Sequence, residues 1–261
     1  MNRYDVRSAC MVLVALFASV VIGAGTPPDP ATASATISAS PVITEASPAS
    51  AQLTPFSVAY DVSLGGLGVG EMNIRLEPHG DSGCYRYTIE SHPNMLVAAI
   101  YGSPNQLSLF CVRNGVIRSQ HFESVLPGDD KQSYKLDFDW NKHVVTDDKG
   151  GVRQIPDDAI DSIALQQLVR RWVREHAGDA QPPVAEFTMV DRKNLTHYKF
   201  KLTGREKVET PAGAFDTLRL ERFDNPNKIG RFWAAPARDY IPVITETKSD
   251  RKPLVRMELA R

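Results

Sequence analysis

Phe56-Ser57-Val58-Ala59-Tyr60-Asp61-Val62 alternates large apolar with small or polar side chains, and Val69 to Leu76 repeats the alternation beyond Gly65-Gly66-Leu67-Gly68. A period of two sends successive side chains to opposite faces of a strand. Glycines between two such runs accept the positive φ of a tight turn, so the stretch reads as a β-hairpin. The same pattern recurs at Cys84–Ser91, Gln106–Arg113, Val116–Phe122, Tyr134–Trp140 and Val144–Thr146. It resumes from Val184 through Leu195–Leu202, Phe215–Glu221, Gly230–Ala234, Val243–Thr247 and Leu254–Leu259, with Thr210-Pro211-Ala212-Gly213 as a turn. In Leu136-Asp137-Phe138-Asp139-Trp140 one face is apolar and the other carries carboxylates, as on a half-buried sheet.

One helical pattern interrupts the strands. Pro156 with Asp157 or Asp158 opens it, Asp161 falls in its first turn, and Ile160, Ile163, Ala164, Leu168 and Trp172 form an apolar stripe. Arg170, Arg171, Arg174 and His176 complement the dipole at its end, and Gly178 stops it. The helix, Asp157–Ala177, is expected to lie on a concave sheet face with its arginines in water. The fold class is therefore mainly β: a curved antiparallel sheet or partly open β-barrel of roughly a dozen strands with one packed α-helix.

Ahead of this unit, Arg3 and Arg7 precede an uncharged run from Cys10 to Ala24 that closes on Gly23-Ala24-Gly25. A cationic head, an apolar core and a small-residue end make a secretory signal, and the run falls short of the ~20 residues of a membrane span. Residues 1–25 are read as the signal. Cleavage after Gly25 suits the apolar core, whereas Ala49-Ser50-Ala51 has the better residues but lies far downstream. Cys10 precedes the apolar core, which argues against lipidation there. Residues 26–52, almost wholly Pro, Ala, Ser and Thr, have too little apolar surface to offset ordering entropy and are read as a disordered linker. Residues 53–261 form the expected single antiparallel β domain, placed in the periplasm.

The formal net charge of −1 gives no reason to expect nucleic acid. From Val184 onward Lys and Arg outnumber Asp and Glu by 16 to 11, a bias that solvated strand faces explain and that also suits an anionic lipid or glycan. Gly66-Leu67-Gly68-Val69-Gly70 precedes a strand rather than a helix, so it is a turn and not a phosphate cradle. Asp137, Asp139, Asn141 and Asp148 stand at calcium-loop spacing, but Lys142 occupies the glycine position and Asp148 replaces the bidentate Glu. The six histidines are scattered singly, and neither a Cys-x-x-Cys nor a G-x-S-x-G is present. These patterns suggest no metal, no cofactor and no spaced catalytic set.

Cys84 and Cys111 sit at similar distances from the segment between two candidate strands. Antiparallel pairing of those strands would bring them together as a disulfide in an oxidising compartment, with two buried free thiols as the alternative. The intervening His92–Gly102 is apolar throughout its middle, unlike an ordinary surface connection. It is read as a plug for one end of the core, a lid over an apolar pocket, or a surface that meets membrane or a partner.

Tyr60-Asp61-Val62 to Gly70-Glu71, the Asp161-Ser162 helix start, Gly204-Arg205-Glu206-Lys207-Val208-Glu209-Thr210-Pro211-Ala212-Gly213 and Trp233-Ala234-Ala235-Pro236-Ala237-Arg238-Asp239-Tyr240-Ile241-Pro242-Val243 together resemble a bacterial family, domain of unknown function 3108. The resemblance spans nearly all of Phe56 to Leu259 and implies an exported, mainly antiparallel β-protein of the envelope. It supplies no activity and no catalytic residues. Arg238-Asp239 reads as a stapled turn or a ligand rim.

A curved sheet with a helix in its mouth encloses a concave apolar surface, the default kind of small-molecule site. The expected function is non-catalytic binding of an apolar or lipid-like envelope molecule. Met95, Leu96, Val97, Ile100 and Tyr101 are expected to cap the cavity, and Trp172 to line it. A hydrolase of envelope lipids or glycans, or a scaffold binding other envelope proteins through strand edges, stands as an alternative.

Overall fold

The computed structural model describes residues 52–249 and 252–261. The signal read at 1–25 and the linker up to residue 51 lie outside the described residues. In chain order the elements are β1 (Phe56–Leu64), β2 (Leu67–Pro78), β3 (Cys84–Pro93), α1 (Met95–Tyr101), β4 (Asn105–Arg113), β5 (Val116–Val125), β6 (Tyr134–Asp139), β7 (Val144–Asp147), β8 (Val152–Gln154) and β9 (Ala159–Asp161). There follow α2 (Ala164–His176), β10 (Ala185–Val190), β11 (Leu195–Thr210), β12 (Gly213–Arg222), β13 (Ile229–Ala235), β14 (Ile241–Lys248) and β15 (Val255–Leu259).

All strands join one 15-stranded sheet in the order β8-β7-β6-β5-β4-β3-β2-β1-β15-β14-β13-β12-β11-β10-β9. Every neighbour is a sequence neighbour except β1 and β15, which pair antiparallel from Tyr60 opposite Leu259 to Leu64 opposite Val255. The expected hairpin is present, with Val58 opposite Ile74 and Tyr60 opposite Met72. Gly70 lies where a Cβ would stand 2.3 Å from the His92 carbonyl oxygen, a close approach of β2 to β3 that only glycine permits. The alternation is realised as burial. Tyr60, Met72, Leu76, Tyr87, Phe110, Phe122, Leu136, Phe200, Leu220 and Leu259 point into one continuous core. Full burial of each such side chain contributes about 1.5–3 kcal/mol.

The sheet curls until its far end returns to its other half. Asp161 on β9 accepts hydrogen bonds from Ser108 Oγ of β4 and Ser119 Oγ of β5, both 2.6 Å. Its own backbone N–H donates to Ser119 Oγ at 3.0 Å. This clasp gives the barrel-like closure, with β6, β7 and β8 continuing beyond it. Cys84 and Cys111 are direct cross-strand partners on β3 and β4 and form a disulfide.

Four expectations need correction. The sheet is not wholly antiparallel, because β9 pairs in parallel with β10. The helix does not begin at Asp157: residues 159–161 are a strand, and Asp161 Oδ1 instead accepts the N–H groups of Ile163 and Ala164 at 3.0 and 2.9 Å, holding the start of α2 from outside. Nor do all the helix arginines stand in water, since Arg170 is only 5% exposed. The apolar His92–Gly102 connection is a short helix, α1, with Asn94 Oδ1 capping Val97 N at 3.0 Å. It does not plug the core, as Met95, Leu96 and Ile100 are 88, 73 and 53% exposed. Among the described residues no helix is long and apolar enough to cross a membrane.

Candidate functional site

Helix α2 presents Gln166, Gln167, Val169, Arg170 and Val173 to the concave face, where Tyr60, Ile74, Tyr87, Leu220, Phe232 and Met257 face it across a cavity of about 50 Å³. The facing residues come from β1, β2, β3, β12, β13 and β15, so curvature of the sheet brings together side chains that are remote in sequence. Two polar contacts fix the walls. Tyr87 Oη donates to Gln166 Oε1 at 2.7 Å, and Tyr60 Oη donates to the Pro242 carbonyl at 2.6 Å. Burial pushes both phenol hydroxyls well above the ordinary tyrosine range, so they remain protonated donors at any physiological pH.

Arg170 is the principal charge of the site. Its Nη2 lies 2.6 Å from Asp239 Oδ2, Nε donates to the Asp239 carbonyl at 2.7 Å, and Nη1 donates to Gln167 Oε1 at 3.2 Å. The guanidinium also sits 4.9 Å above the Phe56 ring. Burial lowers its pKa, Asp239 opposes that, and Arg174 one turn on adds to the lowering. Asp239 is held ready by the Pro-rich corner after β13. Residues Pro236–Arg238 form a 3-10 turn, and Asp239 and Tyr240 take positive φ values of 51° and 61°. The corner read as a stapled turn or a ligand rim is thus stapled to α2 through Asp239.

Of the residues read from sequence as ligand-binding, Met95, Leu96, Val97, Ile100 and Tyr101 lie on α1 and none lines this cavity. Val97 packs against the core while Met95, Leu96 and Ile100 face out. Trp172 is buried on α2 beside His176, ring centroids 5.7 Å apart, and also lies outside the lining. None of the lining residues was read as a site residue from sequence, among them the polar residues of α2, Gln166, Gln167 and Arg170. Their sign was a polar stripe at three- and four-residue spacing running beside Leu165, Val169 and Val173 on the same helix. Among the described lining residues none carries a carboxylate, imidazole or thiol.

Several arginines of the C-terminal strands pair with glutamates on the sheet itself. Arg219 meets Glu206 and Glu221, Arg231 meets Glu221 and Glu246, and Arg256 meets Glu246 and Glu258, a ladder of ion pairs from 2.6 to 3.7 Å across β11 to β15. The residues at calcium-loop spacing serve turns and surface pairs. Asp139 Oδ1 accepts from Asn141 N and Lys142 N, and Asp137 bonds His121.

Comparison with known proteins gives a family and a fold. A family model described as "Protein of unknown function (DUF3108)" matches residues 59–259. No curated protein matches the chain. Among solved structures, the crystal structure of a beta-barrel-like protein of domain of unknown function DUF1849 from Brucella abortus is similar, with a TM-score of 0.53. Its sequence identity is 13%, and the alignment covers 80% of this chain and 97% of that one. At that identity the likeness speaks for the fold alone.

Proposed function

The chain belongs to the DUF3108 family, and on that premise we propose that it is a non-catalytic periplasmic binding protein for an apolar or lipid-like envelope molecule, with residues 53–261 as the folded unit behind a cleaved signal and a linker. The observation that carries the reading is the cavity between α2 and the concave sheet, apolar over most of its lining, with a few fixed polar groups. At about 50 Å³ it has room for a few waters. Pockets that enclose a whole small molecule span ~300–1,000 Å³. Occupancy therefore requires α2 to lift from the sheet and admit a chain between its apolar face and Tyr60, Leu220 and Met257.

The lining favours carriage over hydrolysis, because it offers no carboxylate, imidazole or thiol among the described residues and its buried tyrosines hold their protons. The sheet edges favour carriage over a scaffold. β8 is three residues long, and β9 is buried and clasped by Ser108 and Ser119.

Native mass spectrometry of protein extracted from the periplasm is expected to show a lipid-mass adduct. Val169→Trp, which fills the cavity from α2, is expected to remove the adduct. Met95→Asp, on the exposed face of α1, is expected to retain it and to change stability by no more than about 0.5 kcal/mol. Absence of an adduct in the parent, or its persistence in a folded Val169→Trp protein, sinks the proposal.

A further inference from the structure

Two guanidinium groups meet one carboxylate beside the cavity, whose wall includes Arg170. Arg170 and Arg174, one helical turn apart, both turn to Asp239, at 2.6 Å to Oδ2 and 2.7 Å to Oδ1. The Arg170 side chain is only 4% exposed, and a buried cation is costly unless its charge is matched. Arg170 finds that match in Asp239 and Gln167, whereas Arg174, its side chain 32% exposed, is only partly matched. Arg174 Nη2 approaches Asp239 without hydrogen-bonding geometry, and Arg174 Nε has no partner. Gln166 Nε2, a buried amide donor of a cavity-lining residue, also has none.

Resting on the reading of this cavity as a ligand site, we propose that the ligand is an anionic amphiphile with an alkyl carboxylate head, bound by Arg170, Arg174 and the Gln166 amide while its chain lies between α2 and the sheet. Asp239 shows the group these arginines accept, since a carboxylate meets guanidinium donors with two oxygens. A three-atom carboxylate head is smaller than a phosphodiester and so asks for less displacement of α2 from a cavity of about 50 Å³. Excess positive charge favours an anion over a neutral head, and each charge-assisted hydrogen bond contributes enough to separate the two by about tenfold or more.

The test measures binding of dodecanoate, 1-dodecanol and dodecyl phosphate to protein purified from the envelope fraction of cells expressing the full chain. Dodecanoate is expected to bind at least tenfold more tightly than dodecanol. Arg174→Gln, at a partly exposed position that leaves the Arg170–Asp239 pair in place, is expected to erase most of that preference without weakening dodecanol. Arg170→Lys, which keeps the buried charge, is expected to retain part of it. Equal binding of dodecanoate and dodecanol overturns the inference and leaves the apolar site standing. Tighter binding of dodecyl phosphate overturns the headgroup assignment. Binding of none of the three brings down the cavity reading and this inference together.

Discussion

Asp161→Ala is expected to lower the unfolding free energy by about 3–5 kcal/mol, because it strands a set of buried donors that converge on one carboxylate. Ser108 Oγ, Ser119 Oγ, Ile163 N and Ala164 N all donate to Asp161, at 2.6 to 3.0 Å. Loss of that group unclasps β9 from β4 and β5 and frees the start of α2 in one step. For a domain of this size the melting temperature should fall by roughly 10 °C. Asp161→Asn should cost little. Its amide oxygen can still accept from Ile163 and Ala164, and its NH₂ can donate to the two serine hydroxyls. The pair also gives a pH test. Burial raises the Asp161 pKa above its ordinary value, against the lowering effect of its four donors. The folded state therefore holds this proton to higher pH than the unfolded state, whose carboxyl titrates near ~3.9. The resulting stability is present at low pH and is lost as pH rises from there through the folded value. Denaturant melts from pH 4 to 7 should show the parent losing stability relative to Asp161→Asn. A pH-independent difference would refute the assignment.

Removal of the Cys84–Cys111 bridge is expected to be the next largest effect. The bridge closes a chain segment with a sequence separation of 27, for which the loop-entropy account gives about 3–4 kcal/mol. Unfolding in reductant, or of the Cys84→Ser/Cys111→Ser protein, should occur roughly 10 °C lower than in the oxidised parent. The parent unfolded without reductant should resist alkylation at both positions, and uptake of two alkyl groups there would rule the bridge out.

The parts of this fold that were legible in sequence are those where one residue's environment repeats every second position. Phe56–Val62 and Leu195–Leu202 are examples, each long enough to show its buried face. Cys84 and Cys111 were legible because strand pairing alone sets their distance, and they are indeed direct cross-strand partners. The three residues of β9 show no such period, since all are buried, and their parallel pairing depends on β10 twenty-odd residues later. Asp161 looked like a first-turn helix acid because its role depends on Ser108 and Ser119, two serines with no local mark in their strands. The site itself was half legible. A concave apolar face with a helix against it follows from patterning, but the residues meeting there do not. Arg170 was assigned to water because helix-end arginines normally are, and only the Asp239 corner, 69 residues on, draws it inward. The apolar connection was read as a plug, a lid or a contact surface because hydropathy does not state which way α1 faces, and Met95, Leu96 and Ile100 face outward.

The order of the strands has a kinetic consequence. β1 to β8 form one antiparallel meander and β10 to β15 another, each pairing between sequence neighbours, with β9 added in parallel beside β10. Such hairpins close short loops and form early. The single pairing that makes them one sheet joins β1 to β15, the first and last strands among the described residues. Closing a loop that spans nearly the whole domain carries a large entropy cost before any contact repays it. The seam between the two meanders is thus expected to be the slow event of folding, and during synthesis it waits until Val255 to Leu259 are free to pair. Until then β1 has an open edge in the middle of the future sheet, and a chain that stops before Val255 keeps it.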